Sequence, residues 1–204
     1  MTLANRITLG RMGLSLVIFV LIISRTLWAE AGALALLTLA SISDGIDGVI
    51  ARRTMTTTHF GAIADPFADK ILIMAVFLAF ASVRELAVPL WAVFLILLRE
   101  LTISTLRVLA ALHGEVMKAE QAGKIKTFIQ MTSAFVILGL LVLRFWQREA
   151  GPLPWPPLQE AAALAKPAAW WLTVVSALFT VASGVIYLYN HRALLRRSWS
   201  ERGR

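Results

Sequence analysis

All four aspartates of the protein fall between positions 44 and 69: Asp44, Asp47, Asp65 and Asp69. The first two stand three apart and the last two four apart, so on helices each pair occupies one face, a turn apart. Carboxylates gathered this closely repel one another, and desolvation at a membrane boundary adds to the cost. A positive charge among them offsets both effects. Hard cations such as Mg²⁺ or Mn²⁺ take oxygen ligands, and two of them about 3.5–4 Å apart clamp a phosphoryl group for in-line displacement. The spacing therefore points to metal-assisted phosphoryl transfer rather than to solvated loop charges.

The residues around the aspartates suit that chemistry. Gly48 and Gly61 let a ligand or a neighbouring helix approach, Ala51 keeps its helix face small, and Arg52 offers a planar fork of donors for phosphate oxygens. Pro66 is expected in the first turn of a helix, where it is tolerated. Arg53 reads as a topology signal and 54–58, rich in threonine, as a polar turn. His59, His113 and His191 read as interfacial polar residues without an assigned role.

Such a cluster needs long apolar elements to hold it. The 204 residues are 58% hydrophobic, well above a soluble domain, and mean hydropathy is +0.74. Apolar runs of about 18 or more residues suggest membrane-crossing helices rather than barrel strands. The expected fold is an all-α integral membrane protein, a single domain over 1–204. Six spans are expected near 9–26, 31–51, 67–83, 86–109, 128–146 and 169–189, after a short N-terminal cytoplasmic segment. The first span shows no cleavage site and is expected to be retained.

Charge sets the orientation. Twelve Lys and Arg residues, including Arg6, Arg11, Arg52, Lys118, Lys124, Lys126 and Arg192, fall on one side, against Arg25, Arg84, Arg144, Arg148 and Lys166 on the other. By the positive-inside rule both termini and the aspartates face the cytoplasm of a cell whose inner membrane holds the protein. The net charge of +8 is read as contact with anionic lipid, not with nucleic acid. Lys70, Arg99 and Arg107 fall inside or at the edges of spans, where charge is costly and usually functional. With no cysteine, thiolate metal sites and disulfides are excluded. The segment 151–157, rich in proline, is expected to resist a helix start and to rest at the outer interface with Trp146, Trp155, Trp170 and Trp171.

In order, Asp44-x2-Asp47-Gly48-x2-Ala51-Arg52-x8-Gly61-x3-Asp65-x3-Asp69 resembles the signature of the CDP-alcohol phosphotransferases, with each fixed position present. The resemblance implies a six-helix membrane fold, often a homodimer, with a CDP-lipid donor, two divalent ions and an alcohol acceptor. It implies Asp44, Asp47, Asp65 and Asp69 as metal ligands, and Asp69 also as the base that takes the acceptor's proton. Asp47, Gly48, Ala51, Arg52 and Gly61, with Asn5 and Thr8, would cradle the CDP-lipid.

Asn5-x2-Thr8-x2-Arg11, Ala68-Asp69-Lys70, Arg99-Glu100 with Arg107, and the run 123–127 resemble the phosphatidylglycerophosphate synthase branch, although no proline follows Arg11. That branch implies transfer from CDP-diacylglycerol to glycerol 3-phosphate. A small dianion needs several cations beside the metal. Arg99 and Arg107, eight apart on one helix and so roughly on one face, are the candidates with Lys124 and Lys126. For Arg99 the competing reading is a salt bridge to Glu100 or Glu85. Rival functions are the same chemistry with inositol phosphate, serine or phosphatidylglycerol, and a divalent cation transporter. The transporter is disfavoured because the spans read as mostly Leu, Ile, Val and Ala.

Overall fold

The structure, a computed structural model, describes residues 3–51, 59–112 and 121–192, with side chains placed for 10–42, 70–111 and 121–192. Arg52, Arg53, the 54–58 run, His113, Lys118 and the tail beyond Arg192 lie outside the described residues. For Asn5, Thr8, Asp44, Asp47, Gly48, Ala51, His59, Gly61, Asp65 and Asp69 only the backbone is described.

Each apolar run forms a helix: α1 Leu3–Ser24, α2 Leu27–Ala51, α3 His59–Ser82, α4 Leu90–Leu112, α5 Gln121–Glu149, the short α6 Pro156–Ala163, and α7 Ala165–Asn190. A 3₁₀ turn, Arg84–Leu86, joins α3 to α4, and no strand occurs among the described residues. By length and composition α5 and α7 can cross a membrane; α1, α2 and α3 carry the shorter apolar stretches Gly10–Ser24, Leu27–Ile42 and Lys70–Ser82.

Several bounds differ from expectation. α1 begins at Leu3, so the expected head is helical from that point, and α5 begins at Gln121, which puts Lys124 and Lys126 in its first two turns. Pro66 lies not in a first turn but eight residues into α3, where it cannot donate to the Ala62 carbonyl. The segment rich in proline does start a helix: Pro156 opens α6, because the N–H a proline lacks has no intrahelical acceptor at a first turn.

The six long helices close into a ring. α1 packs on α2 and α3, α3 on α4, α4 on α7, α7 on α5, and α5 back on α2, with α3 touching α5 across the middle. Inside, Ile18, Ile22, Leu37, Phe77, Phe80, Ile96, Ile137, Leu138 and Leu141 are fully buried. Outside, Leu16, Val20, Leu39, Phe94, Leu98, Leu178 and Val185 are exposed. Apolar surface outward and polar side chains inward is the arrangement a hydrocarbon surrounding favours.

The α5–α7 seam shows it best. Gln130 Nε2 donates to Thr180 Oγ1 at 2.9 Å, and Ser176 Oγ to Ser133 Oγ at 3.0 Å, all four residues buried. Thr173, Ser176, Thr180 and Ser183 recur every three or four residues along one face of α7. The spans, read as mostly Leu, Ile, Val and Ala, also present buried hydroxyls along this seam. These hydroxyls were hidden by the average hydropathy, yet they join helices in the absence of a hydrophobic drive between them.

Short connections make successive helices run in opposite directions. One end of the bundle, the aspartate end, holds the close of α2 and the start of α3. The opposite end carries Trp28, Trp91, Trp146, Trp155 and Trp171, all substantially exposed, an arrangement suited to a membrane interface. It is tied together by polar contacts. The Glu149 carboxylate accepts the Leu27 N–H at 3.1 Å, satisfying a donor at the start of α2, and Arg25 Nη2 donates to the Ser82 carbonyl at 2.6 Å. Arg148 lies 3.8 Å from Glu85.

Candidate active site

At the aspartate end, α3, α4, α5 and α7 surround a cavity of about 410 Å³. Lys70 comes from α3, Arg99 and Arg107 from α4, Lys124 and Lys126 from α5, and Ser183 and Tyr187 from α7. Five cationic side chains thus line one space, of a size suited to a small ligand. A smaller cavity of about 200 Å³, lined by Arg11, Ser15, Ala40 and Gln130, shares Lys70, Thr127 and Met131 with it.

One buried carboxylate holds three of the cations in register. Glu100 is 1% exposed. Its Oε2 lies 3.5 Å from Lys70 Nζ, its Oε1 3.6 Å from Arg99 Nη1, and Lys126 donates to Oε1 directly. Gln130 Nε2 approaches the same oxygen at 3.5 Å and links the cluster to the α5–α7 seam through Thr180. Glu100 offsets only part of the positive charge, so the cavity keeps a strong bias toward anions.

The buried donors add direction to that bias. Arg99 Nε, Arg107 Nε and the Tyr187 hydroxyl are all buried without a hydrogen-bond partner among the described residues. Buried polar groups in this state are rare, and donors gathered at one cavity call for a ligand rich in acceptor oxygens. A phosphate dianion supplies such oxygens, and an arginine fork can meet two of them at once.

The structure therefore brings together Arg99, Arg107, Lys124 and Lys126, the four residues singled out for an acceptor phosphate. Arg99 also makes the Glu100 contact that was its competing reading. Lys124 is exposed at the rim, whereas Lys126 is 2% exposed and committed to Glu100. Asp44 and Asp47 lie in the closing turns of α2, and Asp65 and Asp69 in the first half of α3. Asp69 immediately precedes Lys70 in the chain, which puts the cavity wall next to the proposed base. Among residues with described side chains no three His, Asp or Glu form a metal-binding group, and the four aspartates are not among those residues. As a donor set, four carboxylates suit Mg²⁺ or Mn²⁺.

Ser183 and Tyr187, which line the cavity, Glu100, which contacts cations that line it, and Gln130, which contacts Glu100, were missed as site residues. Glu100 carried a signal, being an acid inside a span among three bases. Tyr187 carried none, since an aromatic residue in an apolar helix reads as packing.

Comparison with known proteins follows the same line. The family described as CDP-alcohol phosphatidyltransferase matches residues 1–182. A Mycobacterium tuberculosis protein named "Probable phosphatidylglycerophosphate synthase" is 39% identical over 154 residues, covering 76% of this chain and 66% of the relative. The Bacillus subtilis "CDP-diacylglycerol--glycerol-3-phosphate 3-phosphatidyltransferase" is 32% identical over 96% of this chain and 98% of its own length. A Rickettsia felis protein of the same name is 36% identical over 67% of this chain and 74% of its own. With a family match running from residue 1 to 182 and a relative aligned almost end to end, the chain belongs to the CDP-alcohol phosphatidyltransferase family.

Proposed function

We propose that the protein transfers the phosphatidyl group of CDP-diacylglycerol to sn-glycerol 3-phosphate, giving phosphatidylglycerophosphate and CMP. The relatives named for this activity support it, and so, among residues of this chain, does the cavity lined by Lys70, Arg99, Arg107, Lys124 and Lys126. The cavity is the observation that carries the choice of acceptor, because serine would leave those cations idle.

In this reading Asp44, Asp47, Asp65 and Asp69 hold two divalent ions, which when bound supply the charge that the diphosphate needs. Asp47, Gly48, Ala51, Arg52 and Gly61, with Asn5 and Thr8, receive the CDP-lipid. Arg99, Arg107, Lys124 and Lys126 bind the phosphate of glycerol 3-phosphate and orient its free hydroxyl toward the donor. Asp69 takes the hydroxyl proton as the oxygen attacks the phosphorus that bears diacylglycerol, and the bond to CMP breaks. Glu100 keeps Lys70, Arg99 and Lys126 fixed so that little reorganisation accompanies binding. One domain of six crossings in the inner membrane, with both termini and the aspartate end cytoplasmic, fits the distribution of basic residues. The family resemblance favours a homodimer.

An acceptor panel tests the reading. Purified protein with CDP-diacylglycerol and Mg²⁺ or Mn²⁺ is expected to form labelled phosphatidylglycerophosphate from glycerol 3-phosphate faster than any product from inositol phosphate, serine or phosphatidylglycerol. A higher rate with inositol phosphate would reassign the acceptor.

A further inference from the structure

The last helix carried no recognisable motif, yet Ser183 and Tyr187, about one turn apart near its C-terminal end, line the cationic cavity. Tyr187 is 2% exposed and packs on Ile103, Leu106 and Ala110 of α4. Its ring is stacked on His191 at 4.4 Å and lies 5.8 Å from the Arg107 guanidinium. The phenol is thus held in one orientation from two sides. Packing alone would be served as well by phenylalanine, since the buried hydroxyl has no partner among the described residues. The same cavity gathers Arg99 Nε and Arg107 Nε in the same unpartnered state.

Gly184, one turn before Tyr187, is equally specific. A Cβ built there would lie 2.9 Å from Arg99 Cγ and 3.4 Å from Arg99 Nε. The Arg99 side chain therefore crosses the bare backbone of α7 on its way to the cavity. Any larger residue would displace it.

We propose that Tyr187 is a specificity-determining residue of the acceptor site, donating its phenolic hydrogen to a phosphate oxygen of the incoming alcohol beside Arg99 and Arg107, with Gly184 keeping Arg99 within reach. This rests on the reading of the protein as a transferase to a phosphorylated acceptor. The ligand class is a small alkyl phosphate dianion. Its oxygens accept from two guanidinium groups and one phenol, whereas an unphosphorylated alcohol offers nothing to satisfy them.

The test uses the full-length protein, wild type and the variants Tyr187→Phe and Gly184→Ala, with the two substrates varied in turn. Loss of one hydrogen bond to a charged ligand is expected to raise KM for glycerol 3-phosphate about tenfold in Tyr187→Phe, with kcat and KM for CDP-diacylglycerol unmoved. Gly184→Ala is expected to raise the same KM by displacing Arg99. Because KM is read from the active fraction alone, partial unfolding does not imitate this split, and Gly184→Ala stands if Tyr187→Phe does not fold. Unchanged KM for glycerol 3-phosphate in both variants, or an equal rise in KM for both substrates, would overturn the inference and leave the transferase reading intact. A wild-type protein that releases CMP with serine and not with any phosphorylated acceptor would overturn that reading, and this inference with it.

Discussion

Glu100 shows how much one side chain decides at the aspartate end. Removing its charge leaves Lys126, 2% exposed, without the carboxylate that compensates it. Breaking a buried pair from one side costs about 3–5 kcal/mol, so Glu100→Gln is expected to lower the unfolding midpoint sharply. Inorganic phosphate should then stabilise the variant more than the wild type, because an anion in the cavity replaces part of the lost charge. A midpoint within error of wild type would remove Glu100 from its organising role. At this scale the sequence was readable where charge stood out from an apolar background, as with Arg99, Arg107, Lys124 and Lys126. It was unreadable where the group is neutral. Tyr187 and Gly184 gain their meaning only from what α4 places against them.

Helices were legible by their apolar runs, and each expected span has a helix over most of its length. Their ends were not. α5 starts seven residues before the expected span because Gly123, Lys124 and Lys126 interrupt hydropathy without interrupting helical backbone bonds. α6 was hidden by prolines that favour a first turn as readily as they oppose an interior one. The α5–α7 seam carries a prediction of its own. Ser133 and Ser176 share a buried hydrogen bond at 3.0 Å, and in membrane proteins such pairs couple by about 0.6 kcal/mol. A double-mutant cycle of Ser133→Ala and Ser176→Ala, read by unfolding in micelles, is expected to return a coupling of that order. Strict additivity would mean the seam is held by packing alone.

For the whole molecule, the closed ring explains how residues far apart in sequence meet. Lys70, Arg99, Lys126 and Tyr187 come from four helices, yet ring order makes α3, α4 and α7 successive neighbours and brings α5 beside both α7 and α3. No pattern in the sequence announced that order. Orientation can be checked directly, because the protein has no cysteine of its own. A cysteine at Glu160 on α6 is expected to react with an impermeant maleimide only from the outer face, and one at Ser200 only from the cytoplasmic face. Labelling of both from one face would overturn the six-crossing arrangement. The most direct test of the account is the stoichiometry of transfer in the wild type beside Asp69→Asn. With CDP-diacylglycerol, glycerol 3-phosphate and Mg²⁺, wild type is expected to release CMP and form phosphatidylglycerophosphate one for one, while Asp69→Asn does neither at an unchanged unfolding midpoint. Transfer at a near-normal rate by Asp69→Asn, or no glycerol 3-phosphate-dependent CMP from the wild type, would contradict it.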